Sequence, residues 1–144
     1  MNKHLVKISI TLIFGGEIIL LKKTKNIWQL PRRDKSTTNS IYGTCNLILK
    51  DANIDLEETI TKYELISDSL LQPWKVTSDK NTINIHTGIC INGDEQPETH
   101  NDYHWVKLDD CVKIEIEIED KIAIKQYIET VNEEIKIRNL IKNT

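Results

Sequence analysis

The sequence predicts a single α/β domain in which a mixed sheet lies between helices. Residues 6–13 and 82–91 alternate apolar with polar side chains, which is typical of strands. Gly15-Gly16 can form the tight turn of a hairpin between the first strand and a second one. Two further segments, 41–52 and 119–141, repeat apolar residues at helical spacing.

Length and composition exclude several classes of protein. The 144 residues fit one domain spanning 1–144, and the net charge of −3 without a basic block argues against a non-specific grip on nucleic acid. Three cysteines without CxxC spacing indicate neither a disulfide framework nor a zinc site, and they fit a reducing cytoplasm. Charged and polar residues interrupt the apolar segment 5–21, so we expect no membrane span and no signal peptide.

The first half of the chain predicts a hairpin, a short strand and a helix. The strand at 6–13 is expected to be half-buried with one face inward, and residues 17–21 return as the second strand. After a polar turn at 22–26, residues 27–30 form a short strand that Pro31 closes. Residues 36–39 offer helix N-caps, and Asn53 a left-handed stop. The apolar positions of the helix between them are Ile41, Cys45, Ile48 and Ala52.

The second half predicts more strands and a long final helix. Residues 60–71 are strand-like, with Tyr63, Leu65 and Ile66 inward, until Pro73-Trp74 interrupts them. A turn at 78–81 leads into the core strand 82–91, and residues 92–98 form an exposed loop. Residues 104–108 are a last short strand, and residues 119–141 form the helix that completes the fold.

The order of these landmarks resembles the Nudix hydrolase family. The hairpin is followed by WQLP at 28–31, a loop and a helix, then a polar loop that leads to WVKLD at 105–109 and a last helix. The resemblance covers nearly the whole chain. It implies an α/β/α sandwich with a mixed central sheet, and a site where Mg²⁺ or Mn²⁺ holds a diphosphate for hydrolysis.

The signature that carries the family's chemistry is degenerate here. It reads G-x5-E-x7-R-E-U-x-E-E-x-G-U, where U is aliphatic, and its glutamates hold the metal ion. With Arg33 as the first glycine, the loop glutamate falls on Asn39 and the Arg-Glu pair on Leu47-Ile48. The Glu-Glu pair then falls on Asp51-Ala52 and the last glycine on Ile54. Counted back from Asn53 as the last glycine, the signature positions fall on Arg32, Thr38, Asn46-Leu47 and Lys50-Asp51. Both registers leave one acid, Asp51, whereas Mg²⁺ requires several oxygen ligands.

Two functions therefore stay open. The first is non-catalytic: binding of a nucleotide, a nucleotide-derived metabolite or an RNA end, or a scaffold role, with a homodimer or a protein partner also compatible with the sequence. The alternative is an active pyrophosphohydrolase in which Asp51, Glu57 and Glu58 hold the ion and Glu98 is the general base. The competing interpretation of these acids is that they are solvated loop carboxylates.

Three residues are candidates for ligand binding. Arg32 and Arg33 replace the two glycines that follow Leu-Pro in the family, and two guanidinium groups could bind phosphate in place of the backbone. The competing interpretation is a merely solvated basic patch, and the notion of a phosphate site has to be weighed against it. Trp28 could stack on a nucleobase, although packing in the core would account for it as well.

Overall fold

A mixed sheet of eight strands organises the chain in the computed structural model, which describes residues 5–70, 73–79 and 81–143. The strands are β1 (Leu5–Phe14), β2 (Ile18–Lys23), β3 (Trp28–Gln29), β4 (Arg32–Asp34), β5 (Glu64–Asp68), β6 (Lys75–Ser78), β7 (Thr82–Asn92) and β8 (Tyr103–Lys107). The helices are α1 (Ile41–Asp51), α2 (Leu56–Lys62) and α3 (Ile118–Lys142), with a 3-10 turn at Leu108–Val112.

The central strand of the sheet is β1. It pairs in parallel with β7 over its whole length and antiparallel with β2 and β4. Strands β5 and β6 pair with β7, and strands β3 and β8 pair with β2. Every residue from Ile8 to Phe14 is buried. The expectation of a half-buried strand is therefore wrong for this part of β1, because helices cover both faces of the sheet at its centre.

The hairpin between β1 and β2 forms as predicted. Gly15 and Gly16 have φ angles of 63° and 71°, which glycine adopts without a steric penalty. The turn sets Ile13 opposite Ile19. This register places the apolar residues of both strands against the helices.

Helices lie on both faces of the sheet and bury two apolar clusters. On the α1 face, Ile8, Ile10 and Leu12 of β1 pack with Cys45 and Ile48 of α1, and Leu56 of α2 joins the same cluster. On the α3 face, Ile13 and Leu21 pack with Ala123, Ile124 and Tyr127. The predicted α/β/α arrangement is confirmed.

Helix α1 has its N-cap one residue after the predicted candidates and its stop at the predicted residue. Its N-cap is Ser40, not a residue of 36–39, and the Ser40 hydroxyl accepts a hydrogen bond from the Gly43 N–H at 2.9 Å. Asn53, directly after the last turn, has a φ of 67°. Asparagine is among the few residues that tolerate this left-handed conformation, so the predicted helix stop is confirmed.

The segment predicted as one strand over 60–71 divides into two elements. Residues 60–62 belong to α2, which Asp55 caps by accepting a hydrogen bond from the Glu58 N–H at 3.0 Å, and β5 starts only at Glu64. Leu65 is exposed, contrary to the prediction, and Leu71 lies outside the described residues. Two short strands, β4 and β6, have no counterpart in the prediction.

Helix α3 confirms the predicted helix over 119–141. Its buried residues are Asp120, Ala123, Ile124, Tyr127 and Val131, and after Val131 each turn is largely exposed. In the described part of the chain, none of the helices combines the length and the apolarity that crossing a membrane requires.

Candidate functional site

Strand β4 directs its two arginines to opposite faces of the sheet, because side chains alternate along a strand. Arg33 lies opposite Ile8 of β1, on the α1 face, and its Nη1 is 3.3 Å from Oδ2 of Asp51. Arg32 lies on the α3 face and forms an ion pair with Asp120. The structure therefore does not bring the two predicted phosphate-binding arginines together.

The partner of Arg32 is a buried acid that the sequence prediction missed. The Asp120 side chain is 2% exposed, and its Oδ2 also accepts a hydrogen bond from the Leu30 N–H at 3.0 Å. Burial raises the pKa of Asp120, and the guanidinium group of Arg32 opposes this shift. Asp120 precedes the buried Ala123 and Ile124 by three and four residues, so helical spacing could have revealed it.

The ion pair of Arg33 and Asp51 is accessible to solvent, unlike the buried Asp120 that pairs with Arg32. The two side chains are 44% and 51% exposed, respectively. Exposed pairs of this kind contribute about 0.2–1 kcal/mol to stability, since water screens the charges. The pair nevertheless sets a cation against Asp51, the acid that the sequence analysis proposed as a metal ligand.

Two further polar side chains lie beside this pair on the α1 face. Lys22 of β2 is paired with Tyr103 of β8, and its Nζ is 5.6 Å from the centre of the Tyr103 ring. Burial raises the pKa of Tyr103, the charges of Asp51 and Asp102 raise it further, and Arg33 opposes the shift. Tyr103 thus responds to the charges of Arg33 and Asp51 while Lys22 contacts its ring, and we name Lys22, Arg33, Asp51 and Tyr103 the Arg33 cluster.

The candidate metal ligands other than Asp51 lie around α2. Glu57 and Glu58 occupy its first turn, and Glu58 lines a cavity of about 190 Å³ together with Glu98. The structure thus brings Glu58 and Glu98 to one cavity. In the described residues, no group of three or more histidine, cysteine, aspartate or glutamate side chains is arranged to hold a metal ion. The donor set around Asp51 does not fit Mg²⁺, because its neighbour is a cation.

Trp28 lies on the α3 face, away from the Arg33 cluster. Its ring is half-buried against the α3-face cluster, meets the His104 ring edge-on at 5.6 Å between centres, and has Lys23 Nζ 5.4 Å from its centre. Its backbone N–H donates to Glu115 O at 2.8 Å. Trp28 and Arg33 therefore cannot face the same small ligand.

A second buried polar group lies on the α3 face. His86 of β7 lies beside Ser9 of β1, with 3.0 Å between His86 Nδ1 and Ser9 Oγ, and its ring packs against Trp74 at 5.7 Å between centres. Burial lowers the pKa of His86 to about 4, and the charges of Lys75 and Arg32 act in the same direction. His86 is thus a neutral core residue at neutral pH.

Comparison with known proteins finds this architecture among solved structures. No family model and no curated protein matches the sequence. Among solved structures, a bifunctional NMN adenylyltransferase/ADP ribose pyrophosphatase from Francisella tularensis, complexed with AMP and a manganese ion, has a TM-score of 0.71 at 16% identity. The match covers 91% of this chain and 43% of that protein, so the chain spans less than half of its length.

Two other matches span nearly the full length of their counterparts. The NUDIX domain of Shewanella oneidensis NrtR, complexed with ADP ribose, has a TM-score of 0.64 at 14% identity. The match covers 91% of this chain and 90% of the NrtR domain. The dihydroneopterin triphosphate pyrophosphohydrolase of E. coli has a TM-score of 0.60 at 11% identity, with 90% and 99% covered. The chain has a Nudix fold. The segment that the sequence analysis compared with the family signature runs from β4 through α1 to Asn53, with Arg33 near its start and Asp51 near its end.

Proposed function

We propose that this chain is a non-catalytic Nudix-fold protein that binds a nucleotide, a nucleotide-derived metabolite or an RNA end. The observation that carries the proposal is the ion pair between Arg33 and Asp51, at 3.3 Å. It joins Asp51, the one acid that both signature registers leave, to the arginine that one of these registers places at the first glycine.

The chemistry of metal-dependent hydrolysis explains why this pair matters. A divalent ion activates water and neutralises charge on the phosphates, and carboxylate oxygens of the protein hold it there together with the substrate phosphates. Asp51 has Arg33 on one side and Lys50 as its sequence neighbour, so the local charge repels a cation. The same charge attracts an anion, and a guanidinium group binds phosphate through paired N–H donors.

The structural neighbours support the choice of ligand class. The Francisella protein is complexed with AMP and the NrtR domain with ADP ribose. Both ligands carry an adenosine with at least one phosphate group, and both proteins share the fold of this chain. They are therefore the natural first probes of binding.

The test separates binding from turnover. Purified protein is incubated with ADP-ribose and other nucleoside diphosphate derivatives in Mg²⁺ or Mn²⁺, and the products are followed by chromatography. We expect no turnover, and a higher melting temperature with at least one of the nucleotides, because a ligand of the folded state stabilises it. Robust turnover that Asp51→Asn abolishes would contradict the proposal.

A second candidate function is an active pyrophosphohydrolase with an altered metal site. The observation that favours it is the cavity that Glu58 and Glu98 share. Asp51 and Glu57 would have to join these acids around one ion. A crystal soaked in Mn²⁺ tests this, and it should show an ion bound by at least two of the four carboxylates. If neither turnover nor a nucleotide-induced thermal shift is found, a scaffold role remains as the third function.

A further inference from the structure

Asp51 contacts the guanidinium group of Arg33, to which a ligand anion would also have to bind. The guanidinium group has one acidic partner in the described structure, the Asp51 carboxylate at 3.3 Å. Both side chains are about half exposed, so solvent and small solutes reach the contact. A carboxylate in this position mimics two oxygens of a phosphate group.

The neighbours of the pair suit a phosphate group better than a carboxylate. Lys22 reaches over the Tyr103 ring at 5.6 Å, and the pKa of Tyr103 responds to both Arg33 and Asp51. The lysine and the phenol O–H can donate hydrogen bonds to the additional oxygens that phosphate has and a carboxylate lacks. The charge of Asp102 also acts on Tyr103, so two cations and two acids surround this ring, and removal of the Asp51 charge leaves an excess of positive charge.

The contact is weak enough to be exchanged. An exposed ion pair changes an equilibrium by only about two- to fivefold, since solvent screening offsets most of the attraction. Arg32 provides the contrast, because its partner Asp120 is buried and also bonded to the Leu30 N–H. Of the two arginines, only Arg33 can release its acid at low cost.

We propose that a phosphate group binds to Arg33 by displacing the Asp51 carboxylate, without a divalent metal ion. Asp51 then acts as an internal competitor that lowers the affinity for phosphate, which is the opposite of a metal ligand. This inference rests on the proposed function, because it specifies how the same site recognises the phosphate of its nucleotide-like ligand.

The test measures binding of inorganic phosphate in EDTA by NMR titration, followed through the amide signals of β4 and the last turn of α1. We expect Asp51→Asn to bind phosphate roughly two- to fivefold more tightly than the wild type. Arg33→Gln should weaken binding about tenfold or more, since it removes the charged donor. Replacing EDTA by Mg²⁺ should change neither result.

Two controls isolate the displacement. Glu129→Gln removes one exposed acid on α3, across the sheet, and should leave phosphate binding unchanged. In the Arg33→Gln background, Asp51→Asn should have no further effect, because the competitor acts only through Arg33. Asp51 is exposed, so its amide variant should fold, which the amide spectrum checks directly.

The inference and the proposed function fail in different ways. Three results would overturn the inference. They are equal or weaker phosphate binding by Asp51→Asn, no saturable binding by either protein, and a requirement for Mg²⁺. ADP-ribose and AMP binding to the wild type is measured separately. The wild type can bind these nucleotides although Asp51→Asn binds phosphate no more tightly, which overturns only the inference. The wild type can also fail to bind them although Asp51→Asn binds phosphate more tightly, which overturns only the proposed function.

Discussion

The guanidinium group of Arg32 lies against the buried carboxylate of Asp120, which follows it by 88 positions in the sequence. The same carboxylate oxygen accepts a hydrogen bond from the Leu30 N–H. One side chain at the start of α3 thus fixes the chain on both sides of Pro31, where β3 gives way to β4. Because β4 also carries Arg33, this contact positions the candidate binding site on the opposite face of the sheet.

Replacing Asp120 should destabilise the protein strongly. Asp120→Ala leaves the half-buried Arg32 without its partner and the Leu30 N–H without an acceptor, and breaking a buried pair in this way costs about 3 kcal/mol or more. Urea unfolding followed by circular dichroism measures the loss. Glu119→Ala, at the exposed neighbouring position, should change the free energy of unfolding by less than about 0.5 kcal/mol.

His86 should make the stability depend on acid pH. Its folded pKa of about 4 lies below its ordinary value of 6.5, so the unfolded chain takes up a proton in this window and the folded protein does not. The free energy of unfolding therefore falls as the pH decreases from 6.5 to 4, by up to about 3 kcal/mol from this residue, and then levels off.

The comparison with a histidine variant isolates this effect from that of the carboxylates, which also titrate in acid. His86→Gln should show a smaller decrease between pH 6.5 and 4 than the wild type in urea titrations. His104→Gln, at an exposed position, should follow the wild type. Parallel curves for wild type and His86→Gln would show that His86 is protonated equally in both states.

Gly88 should not tolerate even a methyl group. A Cβ at this position would lie 2.8 Å from Cε2 of the Tyr127 ring, which is fully buried between α3 and the sheet. Gly88→Ala should cost about 1–3 kcal/mol, because the ring has no space to move into. In the Tyr127→Leu background the same substitution should cost clearly less, as a double-mutant cycle in urea would show.

Asn53 should prefer glycine to alanine as a replacement. Its φ of 67° is costly for a residue with a Cβ and no polar side chain. Asn53→Ala should therefore lower the free energy of unfolding by about 1 kcal/mol, whereas Asn53→Gly should leave it nearly unchanged. Thermal unfolding of the two variants compares them directly, and equal losses would point to the side chain of Asn53 rather than to its backbone.

The sequence predicted the elements whose signals are local. The β1–β2 hairpin follows from alternation and Gly15-Gly16, and α1 and α3 follow from apolar spacing. Helix α2 was missed because seven residues give too little periodicity, and its β-branched Ile60 and Thr61 favoured a strand. Strands β4 and β6 are three and four residues long, and pairing with β1 and β7 determines them rather than their own sequence.

The sequence proposes residues for the candidate site but does not predict how they pair. Arg32, Arg33 and Asp51 stood out against the family signature, yet their partners depend on which face of β4 each arginine occupies. A three-residue strand with no alternating apolar residue gives no indication of its inward face. The pairing of Arg33 with Asp51, and of Arg32 with Asp120, therefore required the tertiary structure.

The parallel pairing of β1 with β7 determines when the protein can fold during synthesis. Each residue of β1 has its neighbour 77 positions later, from Leu5 opposite Thr82 to Phe14 opposite Ile91. Contacts that distant in sequence form slowly, since a long loop must close before they gain any energy. Until β7 has emerged from the ribosome, the isoleucines and leucines of β1 lack their central partner strand, and apolar strands exposed in this way are prone to aggregate.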